Sequence, residues 1–401
     1  MTCRLTALTM TDFRSRVNLA LAQSLGPDSP PEFDFDSSEW DALWISARDH
    51  CLVPYLHKRW LESGAVGALP PDIAGRFAAG RHNNTERNRR LLLLLNEIIS
   101  ALRERGIATL VSKGLPLAQT YYGDLGLRVL YDLDLIVGPK DADRAFDVLH
   151  RIGYEPYLPG RGNEPGGPLW RPREYDWDPE GVSDPDRPVM VELHTRPWEP
   201  RWHGFKLECR LDLRRGNRVA QIGGVTVNVP AEEPLLVHLA VHYACNVLEC
   251  SARLMHLLDI VLLLRQRGSE LDWETVLGFV RGDRLEPFCF VALDLARRTG
   301  GCRIPGEVWK PLRDATPSAI VRWLELHGTH DVCSMGLRNR DRSLIYFLHW
   351  HMAESWTEKA SVLLDSVRRP WREGTGLGRW KSLGSRMSAR LRHLAHASRA
   401  R

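Results

Sequence analysis

The 401-residue chain contains no run of about 18 uncharged apolar residues, so the sequence offers no candidate membrane span. Its eight cysteines never form a C-x-x-C pair. That leaves out a thioredoxin-like redox motif and the paired spacing of a structural zinc site. They lie scattered through apolar segments, as reduced and mostly buried thiols of a cytoplasmic protein would. The opening stretch, MTCRLTALTMTDFRSR, lacks the uninterrupted apolar core of a signal peptide, which again leads to a cytoplasmic expectation. No internal repeat is evident. His238 and His242 stand at i, i+4, but the motif reads HLAVH, without the glutamate of a metalloprotease helix. Core or interhelical histidines fit that pair better than a zinc site. The glycines of GTGLGRW, near the C-terminus, follow no strand and make no dinucleotide fingerprint. Charge of one sign is also scarce: the formal net charge is only +4.

What is present is an ordinary globular composition, 43% hydrophobic and 26% charged, with length enough for two or three domains. The informative stretch runs from Ile107 to Tyr154. Tyr131–Val137 alternates strictly, which predicts a half-buried strand with Leu133, Leu135 and Val137 on one face and Asp132 and Asp134 on the other. Carboxylates at i and i+2 of a strand are roughly 6–7 Å apart at the backbone, close enough to converge on one divalent cation or on a closely spaced pair. Hard oxygen ligands of this kind suit Mg²⁺ or Mn²⁺. An isolated D-x-D on an exposed acidic face would look the same, so the surroundings matter.

Ahead of the pair, Ile107–Val111 reads as a strand ending in Ser112-Lys113-Gly114, with Leu115–Tyr122 apolar enough to follow as a helix. Gly114 lets a backbone approach closely and Lys113 adds a point charge, so this turn suits a phosphate. Beyond the acidic strand, Pro139 and Asp141 start a helix carrying Ala142, Ala145, Phe146, Leu149 and Ile152 at helical spacing, and Gly153 ends it. Val189–His194 alternates again. Glu192 and His194 face one way, and pairing beside Asp132–Val137 would bring Glu192 to the face of the two aspartates. A third carboxylate there would ligate metal or deprotonate an acceptor hydroxyl, with His194 orienting it.

This order resembles the DNA polymerase β-like nucleotidyltransferases, and most closely the bacterial branch described as uncharacterised nucleotidyltransferases. The resemblance rests on Lys113-Gly114, Arg128 four residues ahead of the acidic pair, Asp132-x-Asp134, Gly153-Tyr154 and Val191-Glu192-Leu193-His194. It spans roughly residues 40–265. It departs from the wider superfamily at the turn, where no serine follows Gly114 and the gap to Asp132 is longer. The resemblance implies an α+β fold: a polymerase-β-like core, a small mixed sheet with helices, with an N-terminal helical cap and a C-terminal α-helical domain. It also implies NTP as substrate, Mg²⁺ or Mn²⁺ at Asp132, Asp134 and Glu192, and nucleotide contacts from Lys113, Gly114, Arg128 and Arg253. Arg128 would brace the acidic strand or neutralise phosphate charge. Arg253 would approach phosphates with Asp259 holding it, or form a simple buried salt bridge. The acceptor is left open among small molecules, peptides, proteins and RNA.

The remaining segments divide the chain. Residues 1–106 form a helical region whose clearest helix is 84–105. Residues 107–230 make the catalytic core, 231–365 a C-terminal helical domain, and 366–401 a tail. Within the core, 155–188 is rich in Pro, Gly and Arg and reads as a flexible insertion, a mobile flap beside the site. Its Trp170, Tyr175 and Trp177 can stack on a base and its Arg171 and Arg173 meet phosphates, or the insertion simply packs on the surface. The tail has ten Lys or Arg against one acid, Glu373. It could contact RNA, acidic lipid or a partner, or be merely solvated. Two other functions therefore stand beside the transferase: an inactive nucleotide-binding scaffold on the same fold, and an RNA-binding protein working through the tail.

Overall fold

The computed structural model describes residues 16–27, 34–157, 168–172, 181, 183–199, 201–202, 205–329, 342–353 and 355–372. Tyr175, Trp177 and Arg173 of the insertion and all but the first residues of the basic tail lie outside these.

Residues 16–23 are helical, and the helices α1 (Ser37–Asp49), α2 (Val53–Ser63) and α3 (Pro71–Glu104) follow. Asp36 caps α1 in a capping box with Glu39. α3 begins well before the predicted residue 84. Gly75 and Gly80 weaken its sequence signal, yet Gly80 lies where a Cβ would come within 2.6 Å of Val53 Cγ1, so close helix packing explains it. The sheet strands follow: β1 (Thr109–Val111), β2 (Asp132–Val137), then helix α4 (Ala142–Arg151), β3 (Glu155–Pro156), β4 (Pro168–Trp170) and β5 (Met190–His194). A two-residue hairpin, β6 (Arg201–Trp202) and β7 (Phe205–Lys206), precedes β8 (Arg218–Ile222) and β9 (Val225–Val229). Helices then continue as α5 (Glu232–Leu248), α6 (Leu254–Arg267), α7 (Trp273–Gly282), α8 (Glu286–Gly300), α9 (Gly306–Ala315), α10 (Ser318–Leu326), α11 (Arg342–Met352) and α12 (Trp356–Arg372). No helix among the described residues is long and apolar enough to cross a membrane.

The architecture is thus a mixed sheet of seven strands, ordered β3-β4-β5-β2-β1-β9-β8, among helices. β2 pairs antiparallel with β1 and parallel with β5, in the register Asp132↔Met190, Asp134↔Glu192 and Ile136↔His194. Register fixes the faces, because side chains alternate with a period of two. Leu133, Leu135, Val137, Val191 and Leu193 turn to the rear and bury against Leu91, Leu95, Ile98 and Leu102 of α3 and Ala145 and Leu149 of α4. Asp132, Asp134, Glu192 and His194 turn to the front. The front core joins α1 and α2 with α5 through α8, so helices from both ends of the sequence share one buried cluster.

The insertion is partly built into this frame. Trp170 of β4 pairs opposite Met190 of β5 and its ring meets Tyr157 edge-on at 5.4 Å. Arg171 bonds Glu97 Oε1 at 2.7 Å and the Ile152 carbonyl at 2.8 Å, and lies over the Tyr154 ring. Those partners belong to α3 and to the end of α4, so Arg171 ties the insertion to the scaffold rather than meeting phosphate.

Between β1 and β2 the chain has little regular structure, and α3 holds it. Asn84 Nδ2 donates to the carbonyls of Gly126 (2.7 Å) and Arg128 (3.1 Å). Asn88 Nδ2 donates to those of Leu125 and Arg128, and Arg87 to those of Leu130 and Arg187. All three side chains are fully buried. Replacing Asn84 by Ala leaves a buried carbonyl without its partner, a cost of about 1–3 kcal/mol. Chemical denaturation should show that loss, and a variant as stable as the parent would mean water or a shifted Asn88 supplies the bond.

Candidate active site

Each acidic side chain owes its position to a strand. Asp132 and Asp134 are two residues apart on β2, and Glu192 lies directly across from Asp134 on β5. One carboxylate oxygen each of Asp134 and Glu192 and a ring nitrogen of His194 all fall within 4.8 Å of one another. Glu192 therefore reaches the aspartate face as its alternation predicts. Asp132 stands outside this tightest group. His194, read from sequence only as an aid to Glu192, stands inside it: its Nε2 is 3.2 Å from Glu192 Oε2 and 3.6 Å from Asp134 Oδ1.

Lys113 completes the cluster, with Nζ 3.1 Å from Asp134 Oδ1. It leaves β1 just after Ser112, whose N–H still donates to the Asp134 carbonyl. Gly114 then turns the chain at φ +64 and ψ −116, a conformation that a side chain would strain. A Cβ there would also press to 3.3 Å from Leu130. The predicted helix after this turn is a single α-turn, Leu115–Leu117, continuing as a π-type turn over Ala118–Tyr122. It is too short for a substantial macrodipole, and Ser112 and Gly114 are buried, so Lys113 is the half-buried group of this turn that is left to meet a phosphate.

The charges explain one another. Burial, and then the nearby charges of Asp134 and Glu192, push the Asp132 carboxyl up to about 7. Burial would raise Asp134 as well, but the Lys113 charge and the hydrogen bond from His194 outweigh it and hold it well below the carboxylate range. Burial would lower His194, and its bonds to Asp134 and Glu192 instead lift it to about 9. Two cationic side chains thus partly neutralise three crowded carboxylates. Such a donor set fits a divalent cation, which concentrates positive charge where Lys113 and His194 now supply it.

Helices α5 and α6 cover this side. Burial, and the Lys113 charge, keep His238 down at about 3, and burial with Arg128 lowers His256. Neutral His238 stacks on Trp198, and His242 meets His256 edge-on at 4.7 Å. The i, i+4 pair therefore packs, and it joins no three-residue group of metal-ligand type among the described residues.

The two arginines taken from the resemblance have definite partners. Arg128 Nε and Nη2 grip Asp259 of α6 at 2.8 and 2.7 Å, and Tyr122 Oη donates to the same carboxylate at 2.7 Å. Asp259 thus holds Arg128, and not Arg253 as the resemblance had implied. Arg253 instead lies 4.7 Å over the Tyr131 ring, with Nη1 3.9 Å from Cys51 Sγ.

A pH signature follows from Asp132. A carboxyl whose folded pKa is raised binds its proton more tightly when folded, so the stability it allows is complete below about 4 and is lost as pH climbs through about 7. Asp132→Asn should therefore raise the melting temperature at pH 8, in chelator, more than at pH 5. Equal shifts at the two pH values would show that Asp132 is not held under that repulsion.

Residues 36–301 match a family model described as Uncharacterised nucleotidyltransferase. Two solved structures share a distant likeness. One is the antibiotic-resistance factor ANT(2'')-Ia, 14% identical, aligned over 46% of this chain and 87% of its own, with a TM-score of 0.33. The other is an antigenic nucleotidyltransferase-like protein from Paracoccidioides brasiliensis, 14% identical over 49% of this chain and 89% of its own, with a TM-score of 0.31. No curated protein matches. The family match takes in the whole acidic face, its Lys113-Gly114 turn and the helices that cover it, and on that extent the chain belongs to the uncharacterised nucleotidyltransferase family.

Proposed function

We propose that the protein transfers a nucleoside monophosphate from an NTP to an acceptor hydroxyl and releases pyrophosphate, with a divalent ion at Asp132, Asp134 and Glu192. The observation that carries this reading is the convergence of Asp134 and Glu192 from two paired parallel strands, beside Asp132 and the Lys113-Gly114 turn.

The acceptor oxygen attacks the α-phosphorus in line, and the bond to the β-phosphate oxygen breaks. Bound Mg²⁺ or Mn²⁺ would neutralise charge on the attacking and leaving oxygens. The chain's own residues position the reactants. Lys113, half-buried beside Asp134, is a mobile point charge that can turn to the triphosphate once Asp134 has another counter-ion. Glu192 is more exposed than Asp134, with a side-chain exposure of 32% against 5%, so it is the carboxylate open to an acceptor and to its proton. Arg128, gripped on Asp259, acts indirectly by fixing the approach to β2 against α6 on the front.

The fold also separates two approaches. The Lys113-Gly114 turn lies at the Asp132 end of β2, since Gly114 faces the Asp132 carbonyl. At the other end, past Ile136 and His194, is a cavity of about 270 Å³ that includes Thr195, Arg196, Arg210 and Arg214 in its lining. NTP at the first end and acceptor at the second would meet over the carboxylates.

Incubation with each labelled NTP, Mg²⁺ or Mn²⁺ and host lysate should yield a labelled product. Glu192→Gln keeps the size but not the charge, so it should retain near-parental NTP affinity and lose transfer by at least about 10²-fold. Equal turnover by the variant would remove Glu192 from the chemistry. A parent that binds metal–NTP, seen as a rise in melting temperature, yet labels nothing would be an inactive nucleotide-binding protein on this fold.

A further inference from the structure

The tightest ligand group on the acidic face is not all oxygen. It consists of carboxylate oxygens from Asp134 and Glu192 and a ring nitrogen from His194. His194 arrives there by pleat: it is two residues beyond Glu192 on β5 and registers with Ile136, one position past Asp134 on the same face. β5 is an interior strand, paired with β2 on one side and β4 on the other, so the backbone carrying Glu192 and His194 is held from both edges. Nε2 is the ring nitrogen turned toward both carboxylates, at 3.2 and 3.6 Å.

Resting on the metal-assisted transfer reading above, we propose that His194 is a direct ligand of the divalent ion, together with Asp134 and Glu192, and that the site consequently prefers Mn²⁺ over Mg²⁺. Mg²⁺ is small and hard, demands near-ideal octahedral oxygen coordination and gives up water reluctantly. An imidazole nitrogen is a softer donor, suited to first-row transition ions. An imidazole added to these carboxylates, with Asp132 beside them, makes a set that Mn²⁺, a first-row transition ion, tolerates better than Mg²⁺. Lys113 need not leave the site for this. It is the side chain displaced from Asp134, and a triphosphate gives it a new partner.

The competing account is that His194 merely bridges two carboxylates as a cation and withdraws when metal arrives. Pulsed EPR of Mn²⁺ bound to the full chain, with and without a non-hydrolysable NTP, separates the two. Direct ligation gives nitrogen modulation from a coordinated imidazole, and this needs no variant. His194→Gln should abolish the modulation and lower the Mn²⁺-to-Mg²⁺ affinity ratio, measured by competition, at least about tenfold, since even outer-shell changes at metal sites cost 10–100-fold. Bound Mn²⁺ without nitrogen modulation in the parent, or an unchanged ratio in the variant, overturns the His194 assignment and leaves the transfer reading standing. No Mn²⁺ binding under either condition overturns both.

Discussion

Mutual repulsion among crowded like charges governs the centre of this molecule. Asp132, Asp134 and Glu192 share one face of two adjacent strands, and solvent screens the buried Asp134 least. The surrounding chain responds with cations: Lys113 from β1 and His194 from β5 both lean on Asp134. The response is unequal. Asp134 receives both and remains ionised well below the usual carboxylate range, while Asp132 is pushed toward neutrality. Opposite shifts on neighbouring carboxyls are a common mark of sites that handle charge for a living.

A second set of polar contacts sets where that face stands. The loop from Gly123 to Tyr131 has one short 3-10 turn of its own, Leu125–Leu127, and its carbonyls are taken by Asn84, Arg87 and Asn88 from the rear helix. From the front, Asp259 takes the Arg128 fork. The loop is thus clamped on both sides immediately before Asp132. Buried networks of this sort specify one arrangement because each group left unpaired is costly.

Much of the centre was legible as pattern. Strict alternation identified β2 and β5 and assigned the faces of Asp132, Asp134 and Glu192 correctly, because a strand's period of two leaves no other choice. The Lys113-Gly114 turn was legible because a positive φ at that point needs glycine. What could not be read was pairing across long separations. Asp259 lies 131 residues from Arg128, a separation across which sequence pattern carries no pairing signal. Membership of His194 in the ligand group depends on the parallel register of β5 against β2, which no local signal encodes. The early start of α3 was hidden by glycines whose reason is packing against α2, and Arg171 looked free because Glu97 is distant in sequence. Short edge pieces such as β4, sitting amid proline and glycine, carry almost no periodic signal of their own.

The shared front core has a consequence for modularity. A segment such as 107–230 carries every carboxylate of the acidic face, so it looks like a unit that could be cut out and used alone. Excision would strip Asp259 from Arg128 and leave a buried guanidinium uncompensated, about 3–5 kcal/mol. It would also remove the asparagines that hold the loop before Asp132 and expose the front of the sheet. Those losses are a large fraction of a typical domain stability of about 5–15 kcal/mol. The acidic face is carried by a short stretch of sequence, but the contacts that hold it in place reach from α3 to α6.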